Sequence, residues 1–183
     1  MDRPKAPAET ATAAAATTTT GLVSNFDSAE ARAEFGSGWQ ISTDSLIGGT
    51  SSASMAVITS GAKGSRGALE VTGTIAGGVP VAWAGVMFSP GTAPMVPANL
   101  SRFKELVFWA RGDGGEHQVM LFASRLGNIP ASQPFKTGPD WQELVMPLSS
   151  FSGIDGSDLR AVLFTAGSKP GPFRFAIDEV RFR

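Results

Sequence analysis

Residues Phe103–Arg125 read FKELVFWARGDGGEHQVMLFASR, two runs of alternating side chains joined by the turn sequence RGDGG. Successive side chains of a β-strand point to opposite faces, so Leu106, Phe108 and Ala110 share one face of the first run. Glycine-rich turns between alternating runs are typical of β-hairpins. The segment therefore predicts two antiparallel strands, each with its more uniformly aliphatic face directed into the core.

The same pattern continues from residue 21 to residue 183, where short runs of alternating apolar and polar residues are separated by Gly, Pro, Asp and Ser. About ten short strands with turn signals every ten or so residues predict a single all-β domain, an antiparallel β-sandwich or jelly roll. One short helix is expected at Ala29–Phe35, capped by Asp27 or Ser28. The candidate strands are Gly21–Phe26, Trp39–Ser42, Ser52–Ile58, Ala68–Ile75, Trp83–Ser89, Glu105–Arg111, His117–Ser124, Gln142–Leu148, Ala161–Ala166 and Phe173–Phe182.

Residues 1–20 have a different composition, MDRPKAPAETATAAAATTTT, with almost no side chain able to join a core. Such Pro/Ala/Thr segments are typical of disordered tails and of interdomain linkers. The linker alternative would join this domain covalently to an upstream domain. No run of 18 apolar residues occurs, so no membrane span is expected.

The composition excludes several classes of function. The chain has 15 Lys and Arg residues and 16 Asp and Glu residues, so no excess of positive charge is present for binding nucleic acid. Cys 0 excludes disulfides and thiolate metal sites, and His 1 excludes chemistry that needs two imidazoles. Hydrophobic residues make up 42%, enough to bury a core.

The faces left over after the core is assigned are unusually apolar for surfaces that meet water. They form either a platform for a ligand or partner, or a second small core covered by the long loops Thr92–Arg102 or Asn128–Gly138. On the platform interpretation, the aromatic rings stack on the ligand while an arginine and a glutamine donate hydrogen bonds. The candidate ligand-binding residues are Trp83, Met87, Trp109, Arg111, Gln118, Met120 and Phe122.

Four segments in order resemble one family, the complex I intermediate-associated proteins. WQISTDSLIGGTSSAS resembles that family's W…D…GG-S-S loop, and FKELVFWARGDGGEHQVML resembles its strand, Gly-Asp-Gly turn and strand. DWQELVMPLSSF and FRFAIDEVRF resemble its W…V-P…F element and its closing strand. The four segments extend over most of residues 25–183.

The resemblance implies a galactose-binding-like jelly roll, similar to the carbohydrate-binding modules of family eleven. It implies a non-catalytic accessory module that binds a glycan, as in bacterial relatives attached to larger secreted or hydrolytic proteins, and hence an extracytoplasmic location. The eukaryotic members are assembly factors, which implies the alternative of a protein-interaction domain using the same apolar face. Tyr 0 departs from the usual sugar platform and favours that alternative.

Jelly rolls of this kind often tie the first strand to the last with one structural calcium ion. Calcium prefers carboxylate and carbonyl oxygens and needs neither His nor Cys. The matching residues are Asp27, after the first strand, and Asp178 or Glu179, in the last. The alternative is that Asp27 caps the short helix and Asp178 makes a surface hydrogen bond.

No catalytic residue is predicted. His117 alternates with core residues, which indicates a core-edge histidine bonded to backbone, and no G-x-S-x-G motif accompanies it. Asp113 lies in the turn, where aspartate is favoured for geometry. Gly48 or Gly49 is expected to adopt positive φ in a wide loop rather than to hold phosphate.

Overall fold

A computed structural model describes residues 20–183, which form eleven β-strands and four short 3₁₀ turns. All but Thr20 of the predicted tail or linker lies outside the described residues. The strands are β1 Leu22–Ser24, β2 Gly38–Thr43, β3 Ser52–Thr59, β4 Gly67–Ile75, β5 Ala84–Ser89, β6 Glu105–Gly112, β7 Glu116–Ala123, β8 Ala131–Lys136, β9 Gln142–Pro147, β10 Leu159–Ala166 and β11 Gly171–Phe182.

The strands form two antiparallel sheets. The six-stranded sheet has the order β3-β4-β11-β6-β9, with β1 added along β11, and the five-stranded sheet has the order β2-β5-β10-β7-β8. The all-β sandwich predicted from the alternation is confirmed. Within residues 20–183, no helix has the length and hydrophobicity needed to cross a membrane.

The core lies between the inner faces of the two sheets, and the faces predicted for it are correct. Phe108 of β6 and Phe164 of β10 are fully buried and meet edge to face, with ring centroids 5.0 Å apart. Trp39 packs against Phe26, Phe88 and Phe164 at centroid distances of 5.7, 5.6 and 5.9 Å. Such aromatic contacts stabilise the core beyond the burial of their area.

The hairpin predicted around RGDGG is wrong. β6 pairs with β9 and β11, whereas β7 pairs with β8 and β10, so the turn passes from one sheet to the other. Asp113 explains this path, because its backbone N–H donates to the carbonyl of Arg174 at 3.1 Å, and its side-chain Oδ2 accepts from the N–H of Arg174 at 2.9 Å. The turn is thereby held against β11 rather than folded back on itself.

Two further expectations differ from the structure. Residues 29–35 form no helix, because Ala29 has a φ of 62° and the segment bonds to β1, with Glu34 N–H donating to Val23 at 2.8 Å. The expected loop Asn128–Gly138 contains β8. Its Pro134 is tolerated because β8 is an edge strand, where a missing N–H removes little pairing.

Candidate functional site

The structure separates the predicted ligand-binding residues into two groups. Trp109 and Arg111 lie on β6 of the six-stranded sheet, on its outer face. The remaining residues lie on or beside β5 and β7 of the five-stranded sheet: Trp83, Met87, Gln118, Met120 and Phe122. The two groups face opposite sides of the sandwich, so the single platform expected from alternation is wrong. The cause is the RGDGG turn, which connects two sheets.

The outer face of the five-stranded sheet, here called the five-stranded platform, has two adjacent rows of uncharged side chains, and the exposed pair Glu116 and Lys136 lies beyond the second row. Its central row, one residue from each strand, is Gln40, Met87, Leu163, Met120 and Ser132. The next row is Ser42, Gly85, Thr165, Gln118 and Pro134. None of these residues is charged. The middle of the platform is therefore apolar, and hydroxyl and amide groups lie along its margins.

The middle of the five-stranded platform is partly covered. Ala161 and Leu163 are buried, with Trp83, Met95, Met120 and Phe122 packed against them. Met95 comes from the loop Thr92–Arg102, so the predicted covering by that loop is correct in part. Trp83, Met120 and Phe122 retain partial exposure, which leaves two aromatic rings and a thioether accessible.

Trp83 is held in a fixed orientation. Its indole N–H donates to the Ser42 hydroxyl at 3.1 Å, and its carbonyl accepts from the N–H of Asp44 at 3.0 Å. A ring fixed from both its side chain and its backbone loses little conformational entropy when a ligand stacks on it. Trp83 is thus a preorganised part of the platform.

The outer face of the six-stranded sheet carries two cation–aromatic pairs. Lys63 Nζ lies 4.8 Å from the centroid of Trp109, and the Arg111 guanidinium lies 4.8 Å from the centroid of Trp141. Trp141 immediately precedes β9, and its ring packs against the Arg111 guanidinium. A cavity of about 300 Å³ opens beside Arg111. This face is polar and charged, unlike the two central rows of the five-stranded platform.

Of the predicted calcium ligands, Asp27 and Asp178 lie around one hydroxyl, that of Ser65. Asp27 Oδ1 accepts from the N–H of Arg66 at 2.6 Å and from Ser65 Oγ at 2.9 Å, and these bonds hold its pKa below the usual value. Asp178 is fully buried, accepts from the N–H of Ala62 at 2.8 Å, and also interacts with Ser65. Neither alternative role, helix cap or surface acceptor, is observed.

The charge of Asp178 is poorly compensated by the protein. Burial raises its pKa to about 6 despite hydrogen bonds from Ala62 and Glu179 N–H groups. Among residues 20–183, neither Asp27 nor Asp178 forms an ion pair, whereas the Glu179 carboxylate is bonded to Arg181. A bound cation would lower the pKa of Asp178.

The donor set suits calcium only if backbone carbonyls contribute. No three His or acidic side chains converge within the described part of the chain. Ser65 Oγ lies 3.1 Å from the carbonyl oxygen of Gly67 and 3.4 Å from that of Asn25, close to the Asp27 carboxylate. Oxygen donors of this kind fit a hard cation. The calcium site therefore stays a prediction, with Asp27 and Asp178 as its acids.

His117 is buried, as predicted, between the rings of Phe135 and Phe175. Its Nε2 lies 3.1 Å from Thr137 Oγ1 and 3.6 Å from Asp113 Oδ1, so its partners are side chains rather than backbone. Burial lowers its pKa, although Asp113 acts in the opposite direction. Both polar neighbours face the same nitrogen, whereas a catalytic triad needs one partner on each nitrogen.

Sequence reasoning missed the role of Asp44, a fully buried carboxylate in the loop after β2. Its two oxygens accept from the N–H and the hydroxyl of Ser51, and Gly48 takes a φ of +83° as expected. The spacing of Trp39, Asp44, the two glycines and Ser51 in the quoted loop carried this signal. The motif is structural, and it fixes the segment that orients Trp83.

The two-sheet fold is similar to that of several solved carbohydrate-binding modules. The chain is similar to a family 11 carbohydrate-binding module from Clostridium thermocellum in complex with a β-1,3-1,4-mixed-linked tetrasaccharide, with 17% identity, a TM-score of 0.64, and 88% of this chain and 94% of that chain covered. The family 11 module of the cellulosomal cellulase Lic26A-Cel5E of the same organism has 16% identity and a TM-score of 0.64, with 91% of this chain and 95% of that chain covered. An exo-β-agarase has 11% identity and a TM-score of 0.63, with 90% of this chain and 25% of that chain covered.

The fold therefore defines a jelly roll of the carbohydrate-binding-module type. The family model of complex I intermediate-associated protein 30 (CIA30) matches residues 24–156, and the chain belongs to that family. By sequence, no curated protein is significantly similar to the chain. The resemblance noted from the four sequence segments is thereby confirmed.

Proposed function

We propose that the protein is a non-catalytic binding module that holds a neutral glycan on the five-stranded platform. The observation that carries this proposal is a partly exposed surface whose two central rows carry no charge, with the rings of Trp83 and Phe122 at its margins. A sugar ring offers an apolar face for stacking and hydroxyl groups for hydrogen bonds. The platform offers aromatic rings for the first, and the Gln40, Gln118 and Ser132 side chains for the second.

The spacing of the platform suits an extended ligand. Phe122 and Gln118 are four residues apart on β7, which is about 13 Å at the usual rise of a strand. Trp83 precedes β5, two strands away, and adds about 10 Å across the sheet. A ligand that contacts both rings therefore crosses the strands obliquely over several sugar units. The family 11 module solved with a tetrasaccharide has the same fold, which supports this class of ligand.

A protein partner is the second candidate. Two partly exposed thioethers, those of Met95 and Met120, pack on or over the platform beside the buried Met87, and methionine adapts to irregular apolar surfaces. Exposed Val81 precedes Trp83 by two residues, and exposed Leu46 and Ile47 follow Asp44, which is bonded to Trp83. These observations favour an interaction role, such as the assembly-factor alternative, and the family description names an association with a complex I intermediate.

The test is a titration of the protein with neutral oligosaccharides, mixed-linked β-glucan first, followed by calorimetry on three variants. Trp83→Ala and Phe122→Ala are expected to weaken binding about tenfold, which corresponds to roughly 1.4 kcal/mol. Trp109→Ala removes the same indole from the opposite face and is expected to bind like the wild type. Equal losses in all three variants, or no binding across a neutral glycan array, would exclude the glycan platform.

Two finer parts of the proposal concern the surroundings of the module. The Pro/Ala/Thr composition of residues 1–20 supports a linker to a larger protein, whose activity the module would bring to a glycan surface. The oxygens around Ser65 support one structural calcium ion, held by Asp27 and Asp178. Calcium there would join the segment after β1 to β11 and offset the buried charge of Asp178.

A further inference from the structure

The six-stranded sheet has its own cavity, about 300 Å³ in volume, on the face opposite the platform. Its floor is Ala176 of β11, which lies between Glu70 of β4 and Arg111 of β6 in one row across the sheet. Arg174 and Pro139 add to its walls. The small side chain at the centre of the row, with long ones on each side, creates the depth of the cavity.

Of the two arginines that line this cavity, only Arg111 is left without an ion pair in the described part of the chain. The guanidinium of Arg174 is paired with Glu70 at 2.6 Å. Asp113 accepts from the backbone N–H groups of Gly115 and Arg174 at 2.8 and 2.9 Å. Arg111 forms no ion pair with any residue in the range 20–183. The cavity therefore presents one arginine to a ligand.

Trp141 prepares this arginine for binding. The guanidinium lies over the indole at 4.8 Å, a contact that restrains the long side chain without using its N–H donors. A planar guanidinium can donate two parallel hydrogen bonds to a carboxylate. Because the guanidinium already stacks on Trp141 in the free protein, the Arg111 side chain loses little conformational entropy when an anion binds.

We propose that this cavity is a second binding site, which takes the carboxylate of a single acidic sugar residue of the hexuronate class through Arg111. One unpaired arginine suits one anionic group, and the carboxylates of Glu70 and Asp113 in the lining disfavour polyanions. A volume at the lower end of the range for ligand pockets suits one ring. This site does not depend on the five-stranded platform, so either proposal can fail without the other.

The experiment follows the indole N–H resonances of the ¹⁵N-labelled protein during titration with glucuronate. Trp109 and Trp141 report on the six-stranded sheet, and Trp83 reports on the platform. Glucuronate is expected to shift the Trp141 resonance in a saturable manner and to leave that of Trp83 in place. Glucose, which lacks the carboxylate, and acetate, which lacks the ring, are each expected to bind at least tenfold more weakly.

Two variants and one control test the role of Arg111. Arg111→Gln is expected to raise the Kd for glucuronate at least tenfold, and Arg111→Lys to give an intermediate value, because it keeps the charge but loses the planar fork. Arg183→Gln, which removes an arginine paired with Glu105 away from the cavity, is expected to change nothing. Because Arg111 is partly exposed, its variants are expected to fold. The same spectra verify that they do.

The proposal would be overturned by no shift of Trp141 in the wild type, by wild-type affinity in Arg111→Gln, or by equal affinity for acetate and glucuronate. The last result would indicate a general carboxylate site, such as one for a peptide C terminus, rather than a sugar site. Equal shifts with glucose would also contradict it, because the carboxylate would then contribute nothing.

Discussion

Asp44 and Ser51 close the loop between the two sheets with a pair of hydrogen bonds. The N–H and hydroxyl of Ser51 donate to the two carboxylate oxygens at 3.0 and 2.6 Å. Ser51 Oγ in turn accepts from the N–H of Ala76, after β4, at 2.9 Å, and the N–H of Asp44 donates to Trp83. Through its carboxylate and its backbone N–H, the buried Asp44 thus links β2, the β3–β4 pair and the platform tryptophan.

Substitution of Gly49 tests this arrangement. A Cβ at Gly49 would lie 2.3 Å from the Asp44 carboxylate, so Gly49→Ala must displace the buried acid. We expect a loss of about 2–4 kcal/mol in the free energy of unfolding, because both Ser51 bonds are strained or broken. Urea denaturation measures it. Gly138→Ala, where a Cβ meets no atom within 4 Å, is the matched control, and a similar loss there would contradict the explanation.

The buried histidine makes stability depend on pH. Because burial lowers the pKa of His117 from 6.5, its contribution is complete above pH 6.5 and is lost as the pH falls below that value. His117→Gln is therefore expected to flatten the decline in melting temperature between pH 7 and pH 5. Asp178, whose pKa is raised to about 6, contributes with the opposite sign, so the difference between variant and wild type is the quantity to measure. Parallel curves for the two proteins would show that His117 does not titrate in this range.

Calcium is expected to raise the melting temperature, and a chelator to lower it again. Asp27→Asn should remove most of this calcium-dependent increment, because one of the two acids is lost. Asp140→Asn is the control, since Asp140 is exposed and lies on the segment before β9, outside the Ser65 cluster. Calorimetric scans with calcium and with EDTA make the comparison. If neither calcium nor EDTA changes the melting temperature of the wild type, the structural calcium ion is excluded from the proposed function.

Trp39 has a polar contact as well as its ring packing. Its indole N–H donates to Ser24 Oγ at 2.8 Å, and Ser24 donates to the carbonyl of Arg32 at 2.7 Å. Trp39→Phe keeps an aromatic ring against Phe88 and removes the hydrogen bond. We expect a loss of about 1–2 kcal/mol, part of it from the smaller ring. A double variant with Ser24→Ala should lose less than the sum of the single variants, since the two residues share one bond.

Much of the fold could be predicted from short stretches of sequence. The alternation in residues 106–110 and 119–123 identified the inner faces of β6 and β7, because the period of two is a local property of an extended chain. Ten of the eleven strands were predicted in this way. β8 was not, since Pro134 interrupts its pattern and only the edge position makes a proline acceptable there.

The candidate sites depended more on tertiary structure. The RGDGG turn has the composition of a hairpin, and nothing local shows that Asp113 binds β11 and directs the chain into the other sheet. That one difference places Trp109 and Arg111 on the face opposite Met120 and Phe122, and it converts one predicted platform into two separate surfaces.

The order of residues along the chain was sufficient to predict a β-sandwich, the residues that fill its core and the family. Which strands share a sheet, and therefore which outward side chains share a surface, became known from the three-dimensional arrangement alone. The two kinds of information differ because the interactions behind them differ in range. Alternation and turn propensity act between neighbours in the chain, whereas sheet membership rests on hydrogen bonds such as that between Asp113 and Arg174, 61 residues apart.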